Sequence, residues 1–410
     1  MKILQLCKKV PYPLKDGESI AVNALSKALH ELGCSITLLS MNTSKHPVSF
    51  TEKPEALSHY RAIHLVEVDN RVRPVPAFCN LFSADSYHVS RFVSKAFRKR
   101  LEKLLREETF DVIQLETLYL APYIPLIRRF SAAPIAMRAH NVEHEIWDRI
   151  TRNTPASPRK WYLRHLTEKL RRYELGQLKN YDLLIAITER DLRFFEELGY
   201  RGKQITTPIG LDKGQYEPDY TAFSGPVPSL AFIGSLDWMP NQEGLDWFLE
   251  SVWLDLHQRW PRLSFHVAGR NSDAWRRQVD LPAVHMHGEV PCAKGFLNQH
   301  AVLIVPLRSG SGMRAKILEG MALGRVVITT SLGLEGIEAA HGREVLLADT
   351  PSEFEAAVRF CLEQPQKLQA IGRRARALIE KRYDHQVIAR QLHLAYQEIL
   401  PQARKALRIF

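Results

Sequence analysis

Residues 302–337 read VLIVPLRSGSGMRAKILEGMALGRVVITTSLGLEGI. The run Val302-Leu303-Ile304-Val305 is short and wholly apolar, which predicts a strand buried on both faces. Pro306 stops it, and Ser309-Gly310-Ser311-Gly312 makes a flexible turn. From Met313 the period changes to that of a helix, with Met313, Ile317, Leu318, Met321 and Ala322 on one side. Gly324 ends the helix, and Val326-Val327-Ile328 begins another buried strand. The pattern is one βαβ unit with a glycine-rich turn at the carboxyl end of its first strand, where open α/β sheets bind ligands. Free amides and the positive end of the helix dipole favour an anion there. Arg314 and Lys316 add fixed positive charge to the first turn, the wrong end for cations unless an anion binds. With Glu319 one turn further on, the expected ligand is phosphorylated and carries hydroxyls, as a sugar nucleotide does. A glycine turn at a strand–helix junction is common, however, and two basic residues on a helix usually form a solvated face, so the residues alone leave both readings open.

The segment resembles the donor-site signature of the retaining glycosyltransferases of family 4, which have the GT-B fold. In that family a glycine-rich turn leads into a helix whose glutamate binds the nucleotide ribose. Glu319 matches this glutamate, and Gly324-Arg325-Val326-Val327-Ile328-Thr329-Thr330 matches the sequel. Most members carry another glutamate eight positions earlier, in contact with the donor sugar; here that position is Ser311. The chain therefore resembles a branch that reads Gly-x-Gly-x-Arg-x-Lys in place of the usual acidic turn.

A length of 410 residues predicts two domains, each able to bury its own core. A hydrophobic fraction of 45% and a charged fraction of 25% are those of an ordinary globular protein. No apolar run approaches the roughly 18–20 residues of a membrane span, and the amino terminus is too short an apolar stretch for a secretory signal. The five cysteines (7, 34, 79, 292 and 361) are far apart and lack metal-ligand spacing, so reduced thiols in cytosol are expected. Residues 1–205 hold 33 Lys and Arg against 23 Asp and Glu, whereas the remainder is balanced at 23 against 22. The first half is thus the one to meet an anionic surface.

Along the chain, Ile3-Leu4-Gln5-Leu6 reads as a first strand. A turn-rich loop follows to Glu18, then a helix with Ala21, Leu25, Ala28, Leu29 and Leu32 inward and Gly33 as its stop. A nicotinamide site would need Gly-x-Gly-x-x-Gly after that strand, and the loop has one glycine. Family 4 members have a glycine pair in this loop, facing acceptor and donor phosphates; the resemblance places Gly17-Glu18 there. Residues 87–106 have Val89, Phe92, Val93, Ala96, Phe97, Leu101, Leu104 and Leu105 at helical spacing, opposite Arg91, Lys95, Arg98, Lys99, Arg100 and Lys103. Such a helix either covers a sheet with a basic outer face or lies on anionic lipid, and both hold if the apolar side packs inward. His140 stands in a polar loop at the carboxyl end of the predicted strand 135–140. The resemblance implies that it reaches the donor sugar, bonding a hydroxyl and supporting positive charge through its carbonyl. His140, Glu143 and His144 lack the His-Glu-x-x-His spacing, so no metal site is expected. Thr188 and Asp191 read as helix capping.

The Pro- and Gly-containing stretch from 206 to about 229 is the expected linker. After strand 230–233, family members place an arginine and then a lysine on the donor diphosphate. Here Ser235-Leu236-Asp237-Trp238-Met239-Pro240-Asn241 lacks both bases, and Arg314 and Lys316 are expected to substitute from the opposite loop. The turn Gly288-Glu289-Val290 matches the place where the family binds the base through its main chain. The resemblance implies two doubly wound α/β domains facing across a GT-B cleft: 1–205 on the acceptor side, 206–385 for the nucleotide sugar, and 386–410 a helix packing back toward the first.

The implied reaction moves a hexosyl residue from a nucleoside diphosphate sugar to a glycan or lipid-linked acceptor, with retention. No cofactor and no metal are implied, and no nucleic-acid partner. His140, Arg314 and Lys316 would carry the chemistry, with Gly17, Gly312, Met313, Glu319, Gly288, Glu289 and Val290 holding the donor. The leaving diphosphate would be stabilised electrostatically by Arg314, Lys316 and the amides of Gly312 and Met313. The implied location is cytoplasmic, with the basic half peripheral on anionic membrane. Two alternatives share the cleft: a nucleotide-sugar epimerase and a non-catalytic binding or scaffold subunit.

Overall fold

The computed structural model describes residues 1–14, 16–73, 80–83, 85–225, 227–272, 280–310 and 312–406, with side chains described as far as residue 400. Ser311 and Cys79 lie outside the described residues. Two compact units divide the chain: one is Met1–Gly210 with Ile388–Phe410, the other Leu211–Val387.

The first unit is built on a parallel sheet of seven strands: β1 (Lys2–Cys7), β2 (Ser35–Thr43), β3 (Tyr60–Val68), β4 (Val112–Leu115), β5 (Ile135–Ala139), β6 (Leu183–Ala186) and β7 (Lys203–Thr206), in the order β3-β2-β1-β4-β5-β6-β7. The chain reverses its direction of winding between β1 and β4, so the carboxyl ends of these two flank the switch point. Helix Gly17–Glu31 starts two residues inside the expected loop. Asp16 caps it by accepting from the Ser19 amide, which makes Gly17 and Glu18 its first residues. The last helix, His385–Ala406, sends Ile388, Leu392, Tyr396 and Ile399 into one core with Ile3, Leu25, Ile36 and Val112. Each such fully buried side chain stabilises the unit by about 1.5–3 kcal/mol.

Residues 87–106 do not form one helix. A single turn, Tyr87–Ser90, is separated from Lys95–Glu107, which Ser94 caps by accepting from the Phe97 amide. Forming that cap holds Ser94 extended and breaks the period. As a result Val93 is exposed, and so is Ala96, contrary to the expected inward face. Phe97, Leu101, Leu104 and Leu105 are buried, with Lys95, Arg98, Lys99 and Lys103 outside.

The second unit has β8 (Leu230–Ile233), β9 (Phe265–Ala268), β10 (Val284–Gly288), β11 (Val302–Val305), β12 (Val326–Thr329) and β13 (Leu346–Leu347), parallel and in the order β10-β9-β8-β11-β12-β13. Its switch point lies between β8 and β11. All four residues of β11 and of β12 are buried, as their unbroken apolar runs require. No described helix is long and apolar enough to cross a membrane.

Candidate active site

In the second unit the βα turn after β11 carries two glycines in the left-handed region, Gly310 at φ 101° and Gly312 at φ 79°. The helix expected from Met313 starts later: it spans Ala315–Ala322, with Arg314 extended at its N-cap. The left-handed Gly312 delays helix entry and turns Met313 and Arg314 inward, where both are buried. The Arg314 side chain does not cap the helix; its guanidinium lies 5.5 Å from the centre of the Trp238 ring.

Lys316, in the first turn, crosses the switch point. Its Nζ donates to Asn241 Oδ1 at 2.7 Å, and Asn241 Nδ2 donates to the Ser235 carbonyl at 2.7 Å. A side chain at Gly234 would begin 2.6 Å from Lys316 Nζ, so glycine there is what lets the ammonium reach the end of β8. The same ammonium lies 4.3 Å from the centre of the Phe232 ring. Burial, and then the neighbouring Arg314 charge, push Lys316 down to about 7, against the pull of Glu319. The sequence treats both bases as fixed charges; the fold corrects this for Lys316, which titrates near neutrality because it is enclosed.

Glu319, one turn on, accepts from the Tyr216 hydroxyl at 3.0 Å through Oε1. Burial raises its pKa, opposed by that hydrogen bond and by the charges of Lys294 and Lys316. Oε2 is then the oxygen that can accept from a ligand hydroxyl. Three strands from β11, Gly288 ends β10 at the same edge of the sheet, and its carbonyl accepts from the Gly269 amide at 2.7 Å. Gly288, Glu289 and Val290 therefore sit on the carboxyl edge that also bears Gly312 and Lys316.

In the first unit His140 follows β5, and its Nε2 lies 3.0 Å from Oε2 of Glu116, which follows β4. Arg138 NH1 approaches the same oxygen at 3.4 Å, while Gln5 and Gln114 donate to Oε1. Burial opposes ionisation of Glu116, but the His140 hydrogen bond and the Arg138 and His140 charges hold its pKa below the usual value. Glu18, at the family's glycine position, lies 3.5 Å from Lys8 and 3.5 Å from Lys9. Burial works against its charge, yet Lys8, Lys9 and His140 together lower it to about 2. Lys9 also meets Asp16 at 2.7 Å. Two carboxylates and two ammonium groups thus balance beside Gly17.

Glu143 and His144 are engaged within the scaffold. Tyr119 donates to Glu143 at 2.8 Å, and Glu174 accepts from the Glu143 and His144 amides and meets His144 Nδ1 at 2.6 Å. Thr188 caps its helix by accepting from the Asp191 amide at 3.0 Å. Sequence reasoning gathers Arg314, Lys316 and Glu319 through their spacing alone. It misses Asn241, Tyr216 and Glu116, whose partners come from distant segments; the only signal for Glu116 was a carboxylate at the end of a buried strand.

Two doubly wound parallel-sheet units, one bearing cationic side chains and a buried carboxylate at its switch point, place the chain among the two-domain α/β proteins. Family comparison agrees. Residues 16–212 match the family described as Glycosyltransferase Family 4, and residues 227–364 match Glycosyl transferases group 1. The chain belongs to the group 1 glycosyltransferases and has the GT-B fold. Sucrose-phosphate synthase from Thermosynechococcus elongatus superposes with a TM-score of 0.72 at 16% identity, over 98% of this chain and 100% of that one. Anabaena HepE in complex with UDP-glucose gives 0.66 at 14% identity, over 97% and 100%. An uncharacterized 44.6 kDa protein in the cps region of Klebsiella pneumoniae is 20% identical over 298 residues, 70% of this chain and 74% of that protein.

Proposed function

We propose that this glycosyltransferase moves a hexosyl residue from a nucleoside diphosphate sugar to a glycan or lipid-linked acceptor, with retained configuration. The observation that carries the donor assignment is the reach of Lys316 to the end of β8, bonded to Asn241 and beside Gly234. A cation thereby occupies the loop whose own bases are missing, next to Arg314 and the glycine-rich turn. A diphosphate placed there meets two cations and the positive end of a helix, and each charge-assisted hydrogen bond contributes roughly 1.5–3 kcal/mol. Glu319 Oε2 would take a ribose hydroxyl, and the main chain at Gly288, Glu289 and Val290 the base. HepE, a neighbour in fold, is seen with UDP-glucose, which favours a uridine nucleotide as the first to try.

Catalysis in this reading is the stabilisation of a leaving diphosphate by preorganised charge. Arg314 and Lys316 act on its oxygens, and the amides of Gly312 and Met313 add neutral donors. His140 binds a sugar hydroxyl and supports the developing positive charge through its carbonyl. Retention follows if the leaving phosphate itself accepts the acceptor proton on the same face. The basic first unit would meet the anionic surface that carries a lipid-linked acceptor. Thermal shift and slow hydrolysis with a panel of UDP-, GDP- and other nucleotide sugars test the assignment. A donor class that both stabilises the protein and is hydrolysed supports it; no stabilisation by any nucleotide sugar refutes it.

A further inference from the structure

We infer that Glu116 is the positioning residue for His140, holding the imidazole by its Nε2 and so leaving Nδ1 as the ring's hydrogen-bond acceptor for a substrate hydroxyl. This rests on the transferase reading for its consequence but not for its geometry. Both carboxylate oxygens of Glu116 are fully used: Oε2 by His140 at 3.0 Å and Arg138 at 3.4 Å, Oε1 by Gln5 and Gln114. These donors lie on, or directly after, β1, β4 and β5, three adjacent strands of one sheet. The side chain is 1% exposed, enclosed among these partners.

Its holders are themselves held. Tyr60 donates to Gln5 Oε1 at 3.0 Å, and Tyr396 of the last helix donates to Gln114 Oε1 at 2.5 Å. With each glutamine carbonyl receiving a tyrosine proton, each amide nitrogen is left to point at Glu116. That orientation makes Glu116 an acceptor from four directions, which is the arrangement an ionised carboxylate needs.

A carboxylate only accepts, so the hydrogen between it and His140 belongs to Nε2. The neutral ring then carries its lone pair on Nδ1, and His140 can accept from a substrate hydroxyl. Without Glu116 the ring would be free to present N–H instead, and a hydroxyl donor would lose its partner. The logic is that of any histidine whose second nitrogen is fixed by a carboxylate.

The test separates this inference from the transferase reading by using a readout that needs no turnover. Nitrogen-15 NMR of histidine-labelled protein should show neutral His140 protonated on Nε2, and Glu116→Gln, which keeps one acceptor but loses the charge, should weaken that preference. A His140 that is Nδ1-protonated in the native protein overturns the assignment. For function, E116Q should lower turnover with the active nucleotide sugar by roughly tenfold or more, with donor KM little changed. In a His140→Ala background the same change should have no further effect. An equal loss in both backgrounds, or no loss with native His140, also overturns it. Should E116Q fold poorly, Tyr396→Phe, which releases Gln114, replaces it in both measurements and should shift the His140 tautomer balance in the same direction.

Discussion

Lys316 Nζ meets Asn241 Oδ1 at 2.7 Å, joining the helix after β11 to the loop after β8 across the switch point of the second sheet. The relationship matters because, among the described residues, the hydrogen-bond partner of that ammonium is a neutral amide. An amide oxygen satisfies one proton without neutralising the charge, so an anion placed beside Lys316 would favour its charged form.

Donor binding should therefore take up a proton. Burial and the Arg314 charge hold Lys316 down at about 7, and a diphosphate beside it would favour the charged form. Calorimetry at pH 8 in buffers of different ionisation enthalpy should give uptake approaching one proton per nucleoside diphosphate, and Lys316→Met should remove most of it. Affinity should fall as pH rises through and above 7.

The same residue makes a stability prediction of opposite sign to a salt bridge. Its folded pKa, about 7, lies below the ordinary lysine value. Between these two values the unfolded chain binds more protons, so stability rises with pH across that window. At pH 7 or below, the ligand-free K316M protein should unfold at higher temperature than the native one, and the gap should narrow toward pH 10.

Replacing Arg314 with Ala should weaken nucleoside diphosphate binding by roughly 1.5–3 kcal/mol, about 10- to 150-fold. The bare nucleoside has no phosphate for the guanidinium to meet, so its affinity should hardly change. Equal losses for both would assign Arg314 a structural role against Trp238.

Glu319→Ala should raise the donor dissociation constant at least about tenfold, the effect of losing a charge-assisted bond to a hydroxyl. The fold should survive, since Tyr216 keeps its packing against Lys294, 4.5 Å from the ring centre. Titration calorimetry with circular dichroism as the folding control checks both halves; unchanged affinity removes the donor-site assignment.

The exposed Lys95, Arg98, Lys99 and Lys103 should bind the first unit to anionic vesicles in a salt-sensitive way, because such charges are screened over about 8–10 Å at physiological ionic strength. Sedimentation with neutral and anionic liposomes checks this. Equal recovery from both kinds would point to a soluble acceptor.

Much of the fold and of the second unit's site is legible in the sequence. Unbroken apolar runs such as those of β11 and β12 mark strands covered on both faces, and the change of period after Gly312 marks a βα turn. Arg314, Lys316 and Glu319 lie within six residues, so local spacing suffices to group them. Helix entry was less legible: Gly312 in the left-handed region displaces the start from Met313 to Ala315, and the Ser94 cap splits residues 87–106, because caps depend on backbone angles that composition does not record.

What the chain alone determined was the α/β class, the family resemblance and the anion-favouring turn, since all three rest on neighbours in sequence. Only the tertiary structure decided that Lys316 is enclosed, reaches Asn241 and titrates near neutrality, and that Glu116 is clasped by Gln5, Gln114, Arg138 and His140. Desolvation and hydrogen-bond geometry are properties of space, and the groups that impose them here are brought together by parallel strands whose order departs from their order along the chain.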